Sequence, residues 1–421
     1  MKAGAFSIVI QVANRIIMLG VGILLARYLG TSGYGTYAYA MAVLTVLLIF
    51  ADLGIAQYTL RNVAGSVKSN ILADQQIAVR YGLQTTLLFA LILSGIGLIF
   101  LSIFAVENTT ALALVLILLP ISAGFKFATY ALRGMGKITL GQSLERLALP
   151  TIVFFSLWAM FSVVEWQTPI NAIYIQVFAY SLVLLLATGY LLKQLQIPWH
   201  NLRLVSASPF SLARQSLPFA LIGMVGILNT QIDILMLGWF TNPDQVGLYR
   251  VASLASVLVA FGLQAANVAL PTLFARLQAN QDQQQLQRLV TISARLILFA
   301  AIPVAGVLIL FGDTLAGLVF GEAFTASYGP MVILVVGELV GASFGSIGFL
   351  LYMSNKEQIA LRVLAGCALV NVILNAIMIP LFGMLGAAIA TAIGQGLRVI
   401  LLYRIVVTDL KLFPSPFRKL K

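Results

Sequence analysis

The chain is poor in the side chains that most enzymes and metal sites depend on. Its 421 residues include one cysteine, Cys367, and one histidine, His200. A single thiol excludes an internal disulfide, and one thiol with one imidazole excludes a Cys/His metal centre, so no metal and no other cofactor is expected. His200 sits in a polar connector, without partners, as a solvated loop residue. Charge is also scarce. Only 9% of residues are charged, against roughly a quarter in soluble proteins. What is abundant is apolar surface: 61% of residues, with mean hydropathy +1.01. No polar stretch is long enough for a soluble domain. The first apolar run is too long for a cleavable signal peptide and lacks a small-residue cleavage site. The chain reads as an all-α polytopic membrane protein.

Apolar windows of about twenty residues, enough to cross ~30 Å of hydrocarbon, recur about twelve times. They fall at 5–26, 36–57, 80–104, 110–131, 140–164, 169–192, 216–240, 247–271, 290–311, 328–352, 359–380 and 386–406. Of the 25 lysines and arginines, 20 lie in alternate connectors and at the termini, including Arg61, Arg146, Arg203, Arg276, Lys356 and Arg418. The opposite connectors hold Arg27 and Arg250 among acids such as Glu107, Glu165 and Glu322. The positive-inside rule then puts both termini in the cytoplasm. It also accounts for most of the net charge of +12, because basic loops facing anionic lipid require no nucleic acid.

The sequence repeats itself. "RYLGTSGYGTYAYAMAVL" (27–44) and "GWFTNPDQVGLYRVASLASVL" (238–258) share an aromatic-glycine turn, Gly-x-Tyr and a small-residue helix. Gly35 corresponds to Gly247. "LRGMGKITLGQ" (132–142) and "YMSNKEQIALR" (352–362) form a second pair, aligning Lys137 with Lys356. Both offsets are close to half the chain, which implies two pseudo-symmetric six-helix lobes of like orientation. The lobes are read as 1–192 and 216–406, joined by a cytoplasmic connector at 193–215 with the spacing of a short interfacial helix. A basic cytoplasmic tail follows at 407–421, and 273–289 reads as a polar helical hairpin.

Polar residues within spans usually face a protein interior or a water-filled cavity. Gln11, Asn14 and Arg15 share one face of the first span at i, i+3 and i+4. Arg15 lies some ten residues, or ~15 Å, from either end of its run, too deep to snorkel easily. Asn229 and Asp233 share a face of span seven, Gln264 and Asn267 of span eight, Asn371 and Asn375 of span eleven, Gln395 and Arg398 of span twelve. Glu338 lies mid-span ten in a row of Gly337, Gly341 and Gly345, a row that suits close helix packing. The amide pairs equally suit hydrogen bonds between helices. Lys126 is near enough to its span's end to snorkel, and Asp52 has Arg61 as a candidate structural partner. For the deep charges Arg15, Asp233, Glu338 and Arg398 a cavity role competes with structural ion pairing.

The short outer connectors gather no catalytic acids, bases or nucleophiles, so an enzyme is not expected. The residues alone point to an alternating-access transporter. Three bases within spans (Arg15, Lys126, Arg398) against three acids (Asp52, Asp233, Glu338) leave two cargoes open. A lipid-linked diphosphate wants cations and amides; a cationic drug wants acids.

"LLARYLGTSGYGTYAYA" (24–40) with "FADLGIAQYTLRNVA" (50–64) resembles the start of the polysaccharide-transporter branch of the multidrug/oligosaccharidyl-lipid/polysaccharide exporter superfamily, the O-antigen or capsule-unit flippases. "NTQIDILMLGWF" (229–240) with "VGLYRVASLA" (246–255) resembles the start of that family's second half, and "ALPTLFARLQ" (269–278) the exit of its span eight. The resemblance implies a two-lobed, multidrug-and-toxin-extrusion-like fold in the cell inner membrane. It implies flipping of an undecaprenyl-diphosphate-linked oligosaccharide for cell-surface polysaccharide biosynthesis, with membrane lipid and other polysaccharide-assembly membrane proteins as partners. The alternative in the same superfamily is a proton- or sodium-coupled drug antiporter. As a hypothesis, Arg15 and Arg398 hold the diphosphate, while Gln11, Asn14, Gln264 and Asn267 complete the cargo cavity. Asp233, Glu338 and Asp52 are the candidates for H+ or Na+ coupling or for pairing between lobes.

Overall fold

The computed structural model describes residues 2–69, 72–104, 108–164, 167–196 and 209–417. Most of the connector, with His200 and Arg203, lies outside the described residues, as do Glu107, Glu165, Arg418, Lys419 and Lys421. Among the described residues the chain forms fifteen α-helices. They are α1 (Lys2–Asp52), α2 (Ile55–Ser69), α3 (Leu72–Ile103), α4 (Thr109–Gly134), α5 (Ile138–Ser143), α6 (Leu149–Ala159), α7 (Pro169–Gln194) and α8 (Pro209–Phe240). There follow α9 (Pro243–Val259), α10 (Phe261–Ala279), α11 (Gln283–Phe320), α12 (Tyr328–Ser343), α13 (Ile347–Met353), α14 (Glu357–Phe382) and α15 (Met384–Leu410). Two π-helical turns, Leu144–Ala148 and Met160–Val164, flank α6.

Among the described residues, ten helices are long and apolar enough to span a bilayer, and a pair bent by 53°, Pro243–Val259 with Phe261–Val268, makes an eleventh. The count differs from twelve because α1 merges two of the expected spans. Helix α1 is 51 residues long, and Gly30, at φ 68° and ψ −174°, is a non-helical break inside it. Each side of that break is long enough for one crossing. Other spans are also interrupted: Gly345, at φ 65°, parts α12 from α13. There Gly345 packs on Ala294, Gly337 on Gln395 and Ala392, and Gly341 faces open space. The glycine row is therefore not one packing stripe.

Two compact units divide the chain: residues 1–29 with 36–231, and residues 30–35 with 232–421. The first is organised around α4, whose apolar window is 67% buried and which packs on α2, α3 and α7. Its interior includes Leu118, Leu119, Phe127 and Leu132. In the second, α12 and α15 pack together, α15 on α14 and α12 on α9 and α11. Helix α11 turns Ala294, Ala301 and Ala305 inward together with Ile297 and Leu308, and leaves Leu296, Phe299 and Leu310 exposed. Such exposed large apolar side chains suit a lipid-facing surface. Hydrocarbon is as good a neighbour for Phe as another helix is, whereas small residues let backbones approach.

The repeat pairs reappear as geometry. The turn after α4 has Gly136 at φ 80° and Lys137 N–H donating to Leu132 O; the turn after α13 has Asn355 at φ 56° and Lys356 N–H donating to Leu351 O. Both are the same left-handed helix stop, at the same offset. The 30–35 segment packs on the start of α9. A Cβ on Gly35 would collide with the Pro243 carbonyl, and one on Gly247 with the Thr31 carbonyl. The Thr31 hydroxyl donates to Asp244. The expected hairpin at 273–289 is formed by α10 and α11, turning at Gln281 (φ 55°).

Candidate anion-binding cavity and buried carboxylate cluster

The first unit lines an open cavity of about 580 Å³. Helix α1 supplies Gln11, Asn14, Arg15, Met18 and Leu48; α4 supplies Ser122, Phe125 and Lys126; the first π turn and α6 supply Glu145, Arg146, Leu149 and Pro150; α7 supplies Tyr180. Phe125 and Tyr180 form an aromatic wall, edge to face at 5.7 Å.

Pro150 leaves one carbonyl of the π turn without a helical donor. In an α-helix its N–H would bond the carbonyl of Arg146, but proline has none. The Asn14 amide donates to that carbonyl instead, at 2.7 Å. A π turn inserts an extra residue and shifts the helical face. The side chain of Arg146 thereby joins Arg15 on the cavity wall, close enough for the two guanidiniums to repel. Neither guanidinium has a hydrogen-bond or ion-pair partner among the described residues, and both are half-buried. The acid beside them is neutralised: Glu145 pairs with Arg133, which stacks on Tyr130. Lys126 pairs with Asp52 at 2.8 Å, so the partner of Asp52 is Lys126 rather than Arg61. The cavity thus presents two uncompensated cations beside the amides of Gln11 and Asn14.

The second unit holds a buried carboxylate. Asp233, on α8, accepts from Tyr249 Oη at 2.8 Å, Thr391 Oγ1 at 2.7 Å and Asn375 Nδ2 at 2.8 Å. Asn375 Nδ2 also meets the Asn371 backbone and side-chain oxygens. Asn375 Oδ1 is buried with no partner among the described residues. The cluster is rich in oxygen and carries one formal charge.

The model for the family described as "Polysaccharide biosynthesis protein" matches residues 1–278. The chain belongs to that family. It is 27% identical over 177 residues to the probable low-salt glycan biosynthesis flippase Agl15 of Haloferax volcanii, a match covering 42% of this chain and 37% of Agl15. The chain thus matches less than two fifths of that relative's length. Among solved structures it is similar to the lipid II flippase MurJ in its inward closed conformation (TM-score 0.73, 14% identity, 97% of this chain and 88% of that one). It is also similar to an inward-facing multidrug resistance transporter of the MATE family in the MOP superfamily (TM-score 0.73, 15% identity, 97% and 99%). These likenesses give this polysaccharide biosynthesis protein a fold shared with multi-pass membrane transporters.

Within this family member, the residues singled out from the sequence fall into separate groups. Gln11, Asn14 and Arg15 line the cavity together. Glu338 accepts from Gln395 Nε2 at 2.9 Å and attracts Arg398, all three in the second unit. Gln264 and Asn267 lie on α10, outside the cavity lining, and Asn267 Oδ1 is buried without a partner among the described residues. Arg146 was the residue missed: its place near the start of the 140–164 window groups it with the connector charges.

Proposed function

We propose that this protein is a flippase of the cytoplasmic membrane, translocating an undecaprenyl-diphosphate-linked oligosaccharide for cell-surface polysaccharide biosynthesis by ion-coupled alternating access. The observation that carries this is the pair Arg15 and Arg146, half-buried on one cavity wall and without counter-ions among the described residues. Holding two like charges together is costly unless an anion neutralises them. A diphosphate matches two guanidinium forks in charge and geometry. Gln11, the free oxygen of Asn14 and the ring of Tyr180 offer contacts to the first sugar. The same cavity argues against an antiporter of cationic drugs, because its acid, Glu145, is already paired while the arginines are free.

The coupling ion is assigned to Asp233. Its surroundings, with the unpartnered Asn375 oxygen and the Thr391, Tyr249 and Asn371 oxygens, suit a hard monovalent cation or a proton. Glu338, held by Gln395, is a second acid available to that cycle. The positive-inside pattern supports a cytoplasmic location for both termini.

The test is flipping of a fluorescent undecaprenyl-diphosphate oligosaccharide in proteoliposomes. Wild-type protein should flip it, and folded Arg15→Ala should lose most of the activity. Gradient-driven efflux of organic cations with no lipid flipping would instead establish the antiporter.

A further inference from the structure

Between α1 and α2 the chain turns through two successive left-handed residues, Leu53 at φ 43° and Gly54 at φ 76°. Leucine is rarely found there, because its Cβ crowds the backbone. Such a conformation persists only where the surroundings over-determine it. Two contacts do so. The backbone at Gly54 is pressed against α8, where an added Cβ would meet Ser216 O and Ala220 N at 2.6 Å. Asp52, immediately before the turn, accepts the Ala56 N–H at 2.9 Å, closing the first turn of α2. That carboxylate is sealed, its side chain 3% exposed, and its other oxygen is bound by Lys126.

Lys126 differs from its partner. Its side chain is 26% exposed, and it lines the same cavity as Arg15 and Arg146. The residue is thus shared between a structural carboxylate and the space where an anion would sit. Its four-carbon stem and freely rotating ammonium can change partner without backbone movement.

We propose that Lys126 is an exchangeable third cation of the cavity: a diphosphate bound there draws its ammonium away from Asp52 and so loosens the turn at Leu53–Gly54. This rests on the headgroup reading above and adds a consequence to it. A diphosphate carries more negative charge than one carboxylate, and Arg15 and Arg146 hold it close. Once Lys126 leaves, Asp52 is a buried carboxylate without a counter-ion, an unfavourable state. Relief comes if the carboxylate is hydrated, which opens the cap on α2. Arrival of cargo is thereby converted into mobility at a break between two helices.

The experiment is hydrogen exchange on the full chain in nanodiscs, with undecaprenyl diphosphate against undecaprenol as probes. The diphosphate lipid should speed exchange of the amides at 55–59 by roughly tenfold or more, while α4 stays protected. In Lys126→Gln, which keeps a donor for Asp52 but carries no charge, binding should weaken by roughly tenfold and the acceleration should disappear. Asp52→Asn should bind the diphosphate lipid more tightly, since Lys126 is no longer held. Binding with unchanged exchange at 55–59 in the wild type would make the pair purely structural and overturn this inference, leaving the headgroup reading intact. Absence of any preference for the diphosphate lipid would overturn both.

Discussion

Arg15 and Arg146 are chemically alike but differ in how they reach the cavity wall. Arg15 is placed by depth in a regular helix, and Arg146 by a local departure from one. Removing either should leave the other with little to do alone. Arg146→Ala is therefore expected to lower flipping as much as Arg15→Ala, by about 10- to 100-fold if each forms charge-assisted bonds of roughly 1.5–3 kcal/mol. Arg146→Lys should restore only part of the rate, since a lysine cannot make a two-pronged contact. At Asp233 the expectation is different. Asp233→Asn keeps the shape of its cluster, so the protein should fold, but transport should fall and the remainder should no longer respond to a sodium or proton gradient. A residual rate that still follows the gradient would remove Asp233 from coupling. Depth was legible for Arg15 because it lies midway along a long, mostly apolar run. The partner of Asp52 was not legible, because Lys126 lies 74 positions away and nothing periodic links the two.

At the scale of elements, the junction of the π turn with α6 is the most informative piece. A carbonyl orphaned by Pro150 is satisfied by Asn14 from another helix. Asn14→Ala should thus cost about 1 kcal/mol, the usual net worth of one hydrogen bond. Pro150→Ala supplies an N–H to the same carbonyl. Thermal unfolding of the double variant should show Asn14→Ala to be nearly harmless in the Pro150→Ala background, a coupling that only a shared partner produces. The same change should rotate Arg146 away from the wall, so Pro150→Ala alone should lower flipping while leaving stability intact. Apolar windows reveal that a span exists, and most described helices follow them closely: α14 and α15 end within a few residues of expectation. They do not reveal its register. A π turn or a left-handed glycine changes which side chain faces inward without changing the length or polarity of the run, which is why Arg146 and the breaks at Gly30 and Gly345 emerge only in three dimensions.

For the molecule as a whole, the internal repeat was legible as similarity and gained meaning as contact. The glycines aligned by half-chain offset, Gly35 and Gly247, are pressed against each other's neighbourhoods: each would place a Cβ against the other strand of backbone, near Thr31 on one side and Pro243 on the other. Gly35→Ala and Gly247→Ala should each cost about 1–3 kcal/mol, the typical penalty of overpacking a filled site. Both methyl groups would wedge apart the same two backbones. Once one has opened the gap, the second finds it already open, and the paired substitution should cost clearly less than the sum of its parts. A duplicated sequence folded against its own copy therefore has a genetic signature: the first loss at this contact is severe, and the matching loss in the other half adds little.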